Sequence, residues 1–229
     1  MVLPCFNEAA NIEGAVRGAA AAATTTSADY EVIVVDDGST DGSDLIVAAL
    51  VDQDPRVRLL VHGENRGYGV AVRSGIAAAR MPWILLTDAD LQFDLDELAT
   101  FVPHAASADL VIGWRIRRSD PLNRRLNAAA WNWLVRRLFN LRVRDVDCAF
   151  KLMRASVVQS IPLVSRGAMI STELLVRSLA AGATLRELGV HHRPRVAGAA
   201  SGASIRVVAL AFRELADLRR VLPRRAPAA

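Results

Sequence analysis

Cysteine is nearly absent from this chain: Cys5 and Cys148 are the only two in 229 residues, and they lie far apart. Neither a disulfide framework nor a cysteine metal site can be built from them, and a reducing compartment is the expectation. Lysine is scarcer still, Lys151 being the only one among 28 basic residues. Such arginine and alanine usage points to coding bias in a GC-rich bacterial genome, not to adaptation for nucleic acid. No run approaches the roughly 18 apolar residues of a spanning helix. Residues 204–222 come nearest and are broken by Arg206, Arg213, Glu214, Asp217 and Arg219. No secretory leader is visible, so a soluble or peripheral protein of the cytoplasm is expected. A glycine-rich, basic phosphate loop is also missing after the first apolar segment, where the chain reads LPCFNE. That argues against nucleotidyl transfer. What is abundant is apolar sequence, 52% of residues, enough for one large α/β domain. The net charge of +4 favours anionic partners such as nucleotide diphosphates, lipid phosphates or a membrane surface.

Strand-like and helix-like segments alternate, which predicts a largely parallel sheet covered on both faces. Leu3 lies in the first strand, but only two residues precede it. An average strand has about five, so the start is expected to be trimmed. A helix is predicted over 7–23 with Asn7 as its cap, then an apolar strand over 31–36 of the parallel type. A helix over 41–51, a strand over 57–61, a helix opened by glycines over 67–80 and a strand over 83–87 follow. Next come a helix over 95–104 and a strand over 109–112. Between Arg115 and Arg144 nine arginines interleave with Trp114, Trp131, Trp133, Leu134, Leu138 and Phe139. Part of this segment is predicted as a helix over 122–139; its arginines suit an anionic head group and its aromatics a lipid or sugar, with ordinary core at helical spacing as the structural alternative for at least two of Trp131, Leu134 and Leu138. A helix over 171–181, a strand over 184–190 and a loop over 193–204 lead to a last helix over 205–222. That helix carries Ile205, Val208, Phe212 and Leu215 at helical spacing on one face. A single domain over 1–222 is expected, with a disordered tail over 223–229.

The apolar run ending at Thr87 delivers Asp88-Ala89-Asp90 at a strand's carboxyl end. Two carboxylates about 4 Å apart repel by roughly 4 kcal/mol near a protein surface, and a divalent cation offsets that. Hard oxygens suit magnesium or manganese, which take one or two carboxylates together with substrate phosphates. A plain turn, where Asp bonds its own backbone, is the structural alternative. Residues 4–8 and 36–39 are further polar turns closing predicted strands. In open parallel sheets, ligands bind beyond the carboxyl ends of the strands, so three such turns are expected to meet in one crevice.

The segments LPCFNEAANI, VVDDGSTDGS, NRGYGVAVRSGI, TDADLQ and DCAFKL occur in that order between Leu3 and Leu152. Together they resemble family 2 glycosyltransferases, most of all the dolichol-phosphate mannosyltransferase branch that glycosylates polyprenyl phosphates; the likeness extends to about Ser204. The resemblance implies the glycosyltransferase A fold, an α/β three-layer sandwich with a central, mostly parallel sheet. It implies a nucleotide-sugar donor, inversion at the anomeric carbon, and Mg2+ or Mn2+. It further implies a lipid-phosphate acceptor, reached by peripheral membrane contact or through a membrane partner protein. Carried over residue by residue, Pro4, Phe6 and Glu8 line the base and ribose. Asp37 holds the base, with Val35 beside it. Asp88, Ala89 and Asp90 lie against the ribose and diphosphate, and Asp88, Asp90 and Gln92 hold the metal. Arg115 and Arg195 contact the donor phosphates and, with Asp90, form the catalytic set.

The late loop departs from the family pattern of Arg, two residues, Gly, one residue, Ser, Lys. Here it reads Arg195-Val196-Ala197-Gly198-Ala199-Ala200-Ser201-Gly202, one residue longer and without the lysine. The second phosphate contact is therefore missing, or is supplied by Arg193, Arg206 or the hydroxyl of Ser201. The Gln-x-x-Arg-Trp segment of processive members is missing after Ser171, so single transfer is expected. A phosphate acceptor needs no general base. A hydroxyl acceptor on a glycan, glycolipid or small molecule would need one, and Glu173 and Asp147 are the candidates. Their structural alternatives are a capped helix turn for Glu173 and an Arg144 pair for Asp147. A non-catalytic nucleotide-binding homologue is the remaining alternative. Arginine-aromatic mixing also suits single-stranded nucleic acid, but within this framework no nucleic-acid partner is expected.

Overall fold

Along β1 (Val2–Cys5) and β2 (Val32–Asp36), successive residues point to opposite faces, and both faces are apolar. Val2, Ile33 and Val35 enter one core cluster, while Leu3, Val32 and Val34 enter another. A strand with two apolar faces must be covered on both, and the chain supplies helices for each. The structure is a computed structural model that describes residues 1–116, 122–195 and 205–222, with side chains described except at 122–128 and 205–208. The tail over 223–229 lies outside the described residues.

α1 (Ile12–Thr26) and α2 (Ser43–Gln53) cover the Leu3 face. α3 (Tyr68–Ala78) covers the Val2 face. The chain then continues through β3 (Val57–Val61), β4 (Trp83–Leu86), α4 (Leu98–Phe101), β5 (Leu110–Arg115) and α5 (Leu122–Phe139). β6 (Lys151–Arg154), α6 (Ala155–Val158), α7 (Ile170–Ala180), β7 (Leu185–Val190) and α8 (Ile205–Val221) complete it. α5, α7 and α8 join α3 on the Val2 face through Val135, Leu174, Leu215 and Leu218. The result is the expected three-layer sandwich.

The seven strands run in the order β3-β2-β1-β4-β6-β5-β7. All neighbours are parallel except β6, which is antiparallel to both β4 and β5. β1 and β4 are adjacent and parallel, and the strand order reverses between them. Their carboxyl ends therefore open a crevice at the switch point. β6 was not expected from sequence. Because it runs backwards, Lys151 pairs with Leu86 at the end of β4. The segment before it, residues 145–150, is thereby delivered to the same sheet edge as the acidic turns.

Three local expectations are corrected. Asn7 is not a helix cap: it sits at φ 55°, and its Oδ1 accepts from Thr40 N–H at 2.8 Å, so α1 begins only at Ile12. The helix expected over 95–104 is a short α4 between two 3-10 segments, Leu95–Glu97 and Val102–Ala106. Pro103 lies in the second and has no N–H to continue an α ladder. On α8 the core-facing stripe is Leu215 and Leu218, whereas Phe212 is half exposed and meets Trp131 edge-on at 5.5 Å. Ile205 and Val208 have side chains outside the described residues. Trp131, Leu134 and Leu138 pack on the core, which is the structural alternative for them.

Candidate active site

The polar turns after β1 and β2 are tied to each other. Asn7 N–H donates to Ser39 Oγ, Glu8 N–H to Ser43 Oγ and Ala9 N–H to Asp41 Oδ2, each at 2.9 Å. Much of the Ser/Asp content of residues 36–43 is thus a scaffold for the first turn. After β4 the backbone reverses at Leu91, which takes a left-handed φ of 59°, a conformation costly for a branched side chain. Its side chain packs over Gly14, where a Cβ would approach to 3.4 Å, and Gln92 N–H bonds Asp90 Oδ1 at 3.1 Å. The strained turn holds Asp90 at the cavity.

A cavity of about 660 Å³ opens at the switch point. Pro4, Phe6, Glu8, Asp37, Asp88, Ala89, Asp90 and Arg195 all line it. Arg195 bridges two of the turns: its Nη2 donates to Glu8 Oε1 at 2.7 Å and to Asp90 Oδ2 at 3.2 Å. Asp37 lines the wall, but protein groups already engage its carboxylate. It accepts from Arg66 N–H at 3.0 Å and Gly67 N–H at 2.8 Å, and His62 Nδ1 lies 2.7 Å away.

Three expected site residues stand off the cavity wall. Val35 is fully buried in the core beneath α3. Arg115 is locked to Asp145 by two bonds, Nε to Oδ2 at 2.7 Å and Nη2 to Oδ1 at 2.8 Å. The Gln92 amide donates to the Arg193 carbonyl at 3.0 Å, so its side chain is directed along the late segment. Arg193 itself pairs with Asp94 at 2.5 Å. Ser201 and the rest of that loop, with the Arg206 side chain, lie outside the described residues.

Tyr68 and Lys151 had no clear sequence signal, whereas Asp147 and Glu173 are the candidate bases read from sequence. Tyr68 opens α3 and donates its hydroxyl to Asp88 Oδ1 at 2.9 Å. Lys151 is fully buried; its Nζ donates to the carbonyl of Val146 at 3.1 Å and to that of Cys148. Burial lowers its pKa, while nearby Cys148, Asp147 and Asp145 act to raise it. Asp147 lines the cavity, and among the described residues it has no ion pair. The expected Arg144 pairing is absent: Arg144 stacks over Trp114 at 4.8 Å. Glu173 is fully buried, accepting from Val164 and Ser165 N–H and from Arg177 at 2.7 to 3.0 Å. It therefore braces a loop and has no access to an acceptor.

Burial, then the Asp90 charge, push Asp88 up to about 6. Burial, then the Asp145 charge, push Asp147 up to about 6. An unfolded carboxylate ionises near about 4, so from that pH to about 6 the unfolded state gains from ionisation that the native state resists. The donor-free protein should therefore lose a stability contribution as pH rises from about 4 to 6, the penalty being complete above 6. Thermal melts across that range check it. Asp147→Asn should flatten the profile, and an identical pH slope in that variant would refute the assignment.

Asp88 and Asp90 present hard oxygens, and burial first, then the charge of Asp90, raises the Asp88 pKa. Among the described residues no cluster of three or more acidic, His or Cys side chains could hold an ion unaided. Two carboxylates do fit Mg2+ or Mn2+, whose remaining ligands come from phosphate oxygens and water.

An open α/β sandwich with an acid-lined cavity at the sheet's switch point defines the glycosyltransferase A architecture. The chain matches the model described as Glycosyl transferase family 2 over residues 1–161, and it belongs to that family. It is 30% identical over 168 residues to the dodecaprenyl-phosphate galacturonate synthase of Rhizobium johnstonii, covering 72% of this chain and 50% of that protein. It is 29% identical to the undecaprenyl-phosphate 4-deoxy-4-formamido-L-arabinose transferase of Pseudomonas fluorescens, covering 93% and 62%. The chain thus spans about half to three-fifths of these curated relatives. Among solved structures, the glucosyl-3-phosphoglycerate synthase of Mycobacterium tuberculosis, in complex with Mn2+, uridine-diphosphate-glucose and phosphoglyceric acid, shares the fold. The TM-score is 0.72 at 20% identity, covering 97% of this chain and 79% of that one.

Proposed function

We propose that the protein transfers a single sugar, with inversion and with the help of Mg2+ or Mn2+, from a nucleotide-sugar donor to a polyprenyl phosphate. The observation that carries this is the meeting of three strand-end turns and Arg195 in one cavity. The relatives named for dodecaprenyl and undecaprenyl phosphate support the acceptor class. Pro4 and Phe6 offer an apolar edge to the base. Asp37 shapes the loop 62–67 against which the nucleoside lies. Asp88 and Asp90 would hold the ion, which supplies positive charge against the departing diphosphate. Arg195 stands ready to exchange its carboxylate partners for donor phosphate, adding charge-assisted hydrogen bonds to the leaving group.

Among the described residues no helix is long and apolar enough to cross a membrane. α8 instead exposes Leu210, Phe212 and Val221 beside the exposed Arg213 and Arg220. That surface suits salt-sensitive contact with an anionic leaflet, at about 1 kcal/mol per basic residue. The test is a panel of radiolabelled nucleotide sugars offered with polyprenyl phosphate in anionic vesicles. Label should enter the organic extract, and the protein should sediment with vesicles at low salt only. Label that stays aqueous with every donor would end the lipid-acceptor reading.

A second reading has one specific support. Asp147 faces the cavity and keeps its proton to about 6, near the optimum for a general base. A hydroxyl acceptor would use it, and Asp147→Asn would then lower turnover far more than acceptor binding.

A further inference from the structure

The strap from Val164 to Gly167 is held by an uncommon arrangement. Its four consecutive backbone N–H groups all donate to carboxylates. Val164 and Ser165 donate to Glu173 Oε2 at 3.0 and 2.7 Å. Arg166 and Gly167 donate to Glu214 Oε1 at 2.6 and 3.4 Å. Glu173 belongs to α7 and Glu214 to α8. On the other side of the strap, Gly69 N–H donates to the Arg166 carbonyl at 2.8 Å. Gly67, at φ 102°, approaches so closely that a Cβ there would lie 2.5 Å from the same oxygen. The strap is thus held from three helices, the Arg166 backbone itself from α8 and α3, and it stands against the peptide that follows Arg66. Arg66 is fixed in turn, through its N–H on Asp37.

Both guanidiniums belong to exposed residues on the cavity wall. Among the described residues neither has a carboxylate partner. The other arginines near the site are engaged, Arg195 by Glu8 and Asp90 and Arg115 by Asp145. We propose that Arg66 and Arg166 form an anion subsite for the phosphate of the acceptor. The proposal rests on the reading above that the acceptor is a phosphate ester.

The physical case is one of charge. The cavity wall carries Glu8, Asp37, Asp88, Asp90 and Asp147, a field that repels an incoming phosphate. Two guanidiniums on fixed backbone offset it locally and match phosphate geometry with paired hydrogen bonds. Leu210 of α8 lies beside Gly167, 3.3 Å from where its Cβ would be, and it is partly exposed. It supplies apolar surface next to the subsite, suited to the first isoprene of a lipid phosphate. The charge chemistry alone would equally serve a soluble phosphate ester.

The test is calorimetry on the whole chain, saturated with nucleoside diphosphate and Mn2+, titrated with farnesyl phosphate and separately with glycerol 3-phosphate. Wild type, Arg66→Ala, Arg166→Ala and Arg166→Lys are compared, and UDP and GDP affinities are measured in each. Farnesyl phosphate affinity should fall about 10-fold or more in both alanine variants, as expected for loss of a charged hydrogen bond. Arg166→Lys should recover part of it, and nucleotide affinity should be unchanged in both Arg166 variants. If nucleotide affinity falls instead and farnesyl phosphate binding is intact, the arginines serve the donor and the proposal is overturned. Equal farnesyl phosphate affinity in all four proteins, or none in wild type, overturns it as well. Arginine-dependent binding of both esters with equal affinity supports the subsite and assigns it to a soluble acceptor. Arginine-dependent farnesyl phosphate binding in a protein that glycosylates no lipid phosphate supports the subsite while ending the lipid-acceptor reading.

Discussion

Asp90→Ala should abolish sugar transfer, by about 1,000-fold or more, in a protein that still folds. A loss of that size corresponds to about 4 kcal/mol of transition-state stabilisation. Folding should survive because the native partners of Asp90 are a backbone N–H and the Arg195 guanidinium, and both can turn to water. Removing the charge also relieves Asp88, whose pKa is raised in part by Asp90. Transfer should fail in EDTA as well. Titration of Mn2+ with nucleoside diphosphate, followed by electron paramagnetic resonance, reads the ion directly: wild type should bind it and Asp90→Ala should not. Full activity in EDTA, or an active Asp90→Ala protein, would sink the metal assignment.

Asp37→Ala should weaken nucleoside diphosphate binding by about 10- to 100-fold and lower the melting temperature as well. The sequence resemblance assigns Asp37 to the base directly. The structure gives it a further task, because its two oxygens organise His62, Arg66 and Gly67 at once. Truncation orphans these donors at about 1–3 kcal/mol each when buried. For a chain of this size, 2–3 kcal/mol lowers the midpoint by about 5–10 °C. Asp37→Asn, which keeps one acceptor oxygen, should fall between wild type and alanine. Calorimetry and a thermal melt on the same samples check both effects. An alanine variant that melts and binds nucleotide like wild type would refute both roles.

The expectations that held rest on short-range rules. VIVVD over 32–36 is apolar at every position, and only a strand covered on both faces accommodates that. Polar turns after such strands must lie at one sheet edge once the strands are parallel. That is why Pro4, Glu8, Asp37, Asp88 and Asp90 could be placed together from sequence. β6 escaped the same reading because it is four residues long and begins with a lysine, which a buried strand seldom tolerates. Lys151 is tolerated because its ammonium donates to the Val146 and Cys148 carbonyls of the loop before it, with the charges of Asp145 and Asp147 nearby. Glu173 escaped for the opposite reason. A glutamate in a helix's first turn reads as a solvated group near a dipole, and nothing local shows that two loop N–H groups will close on it.

The sequence by itself determined the parallel α/β order, the strands with two apolar faces, and the edge where the acids emerge. Each of these follows from side-chain period and backbone direction within about ten residues. Only the tertiary structure decided which charge meets which. Arg195 reaches Glu8 across 187 positions of chain, and Arg166 is held by Glu214 across 48. Arg115 is tied to Asp145 instead of standing on the cavity wall. Such pairings depend on distances of a few ångströms between elements brought together by core packing, and Coulomb energy falls with that separation and with solvent access. The antiparallel entry of β6 sets those distances for Asp145, Asp147 and Lys151, and neighbouring residues along the chain carry no trace of it.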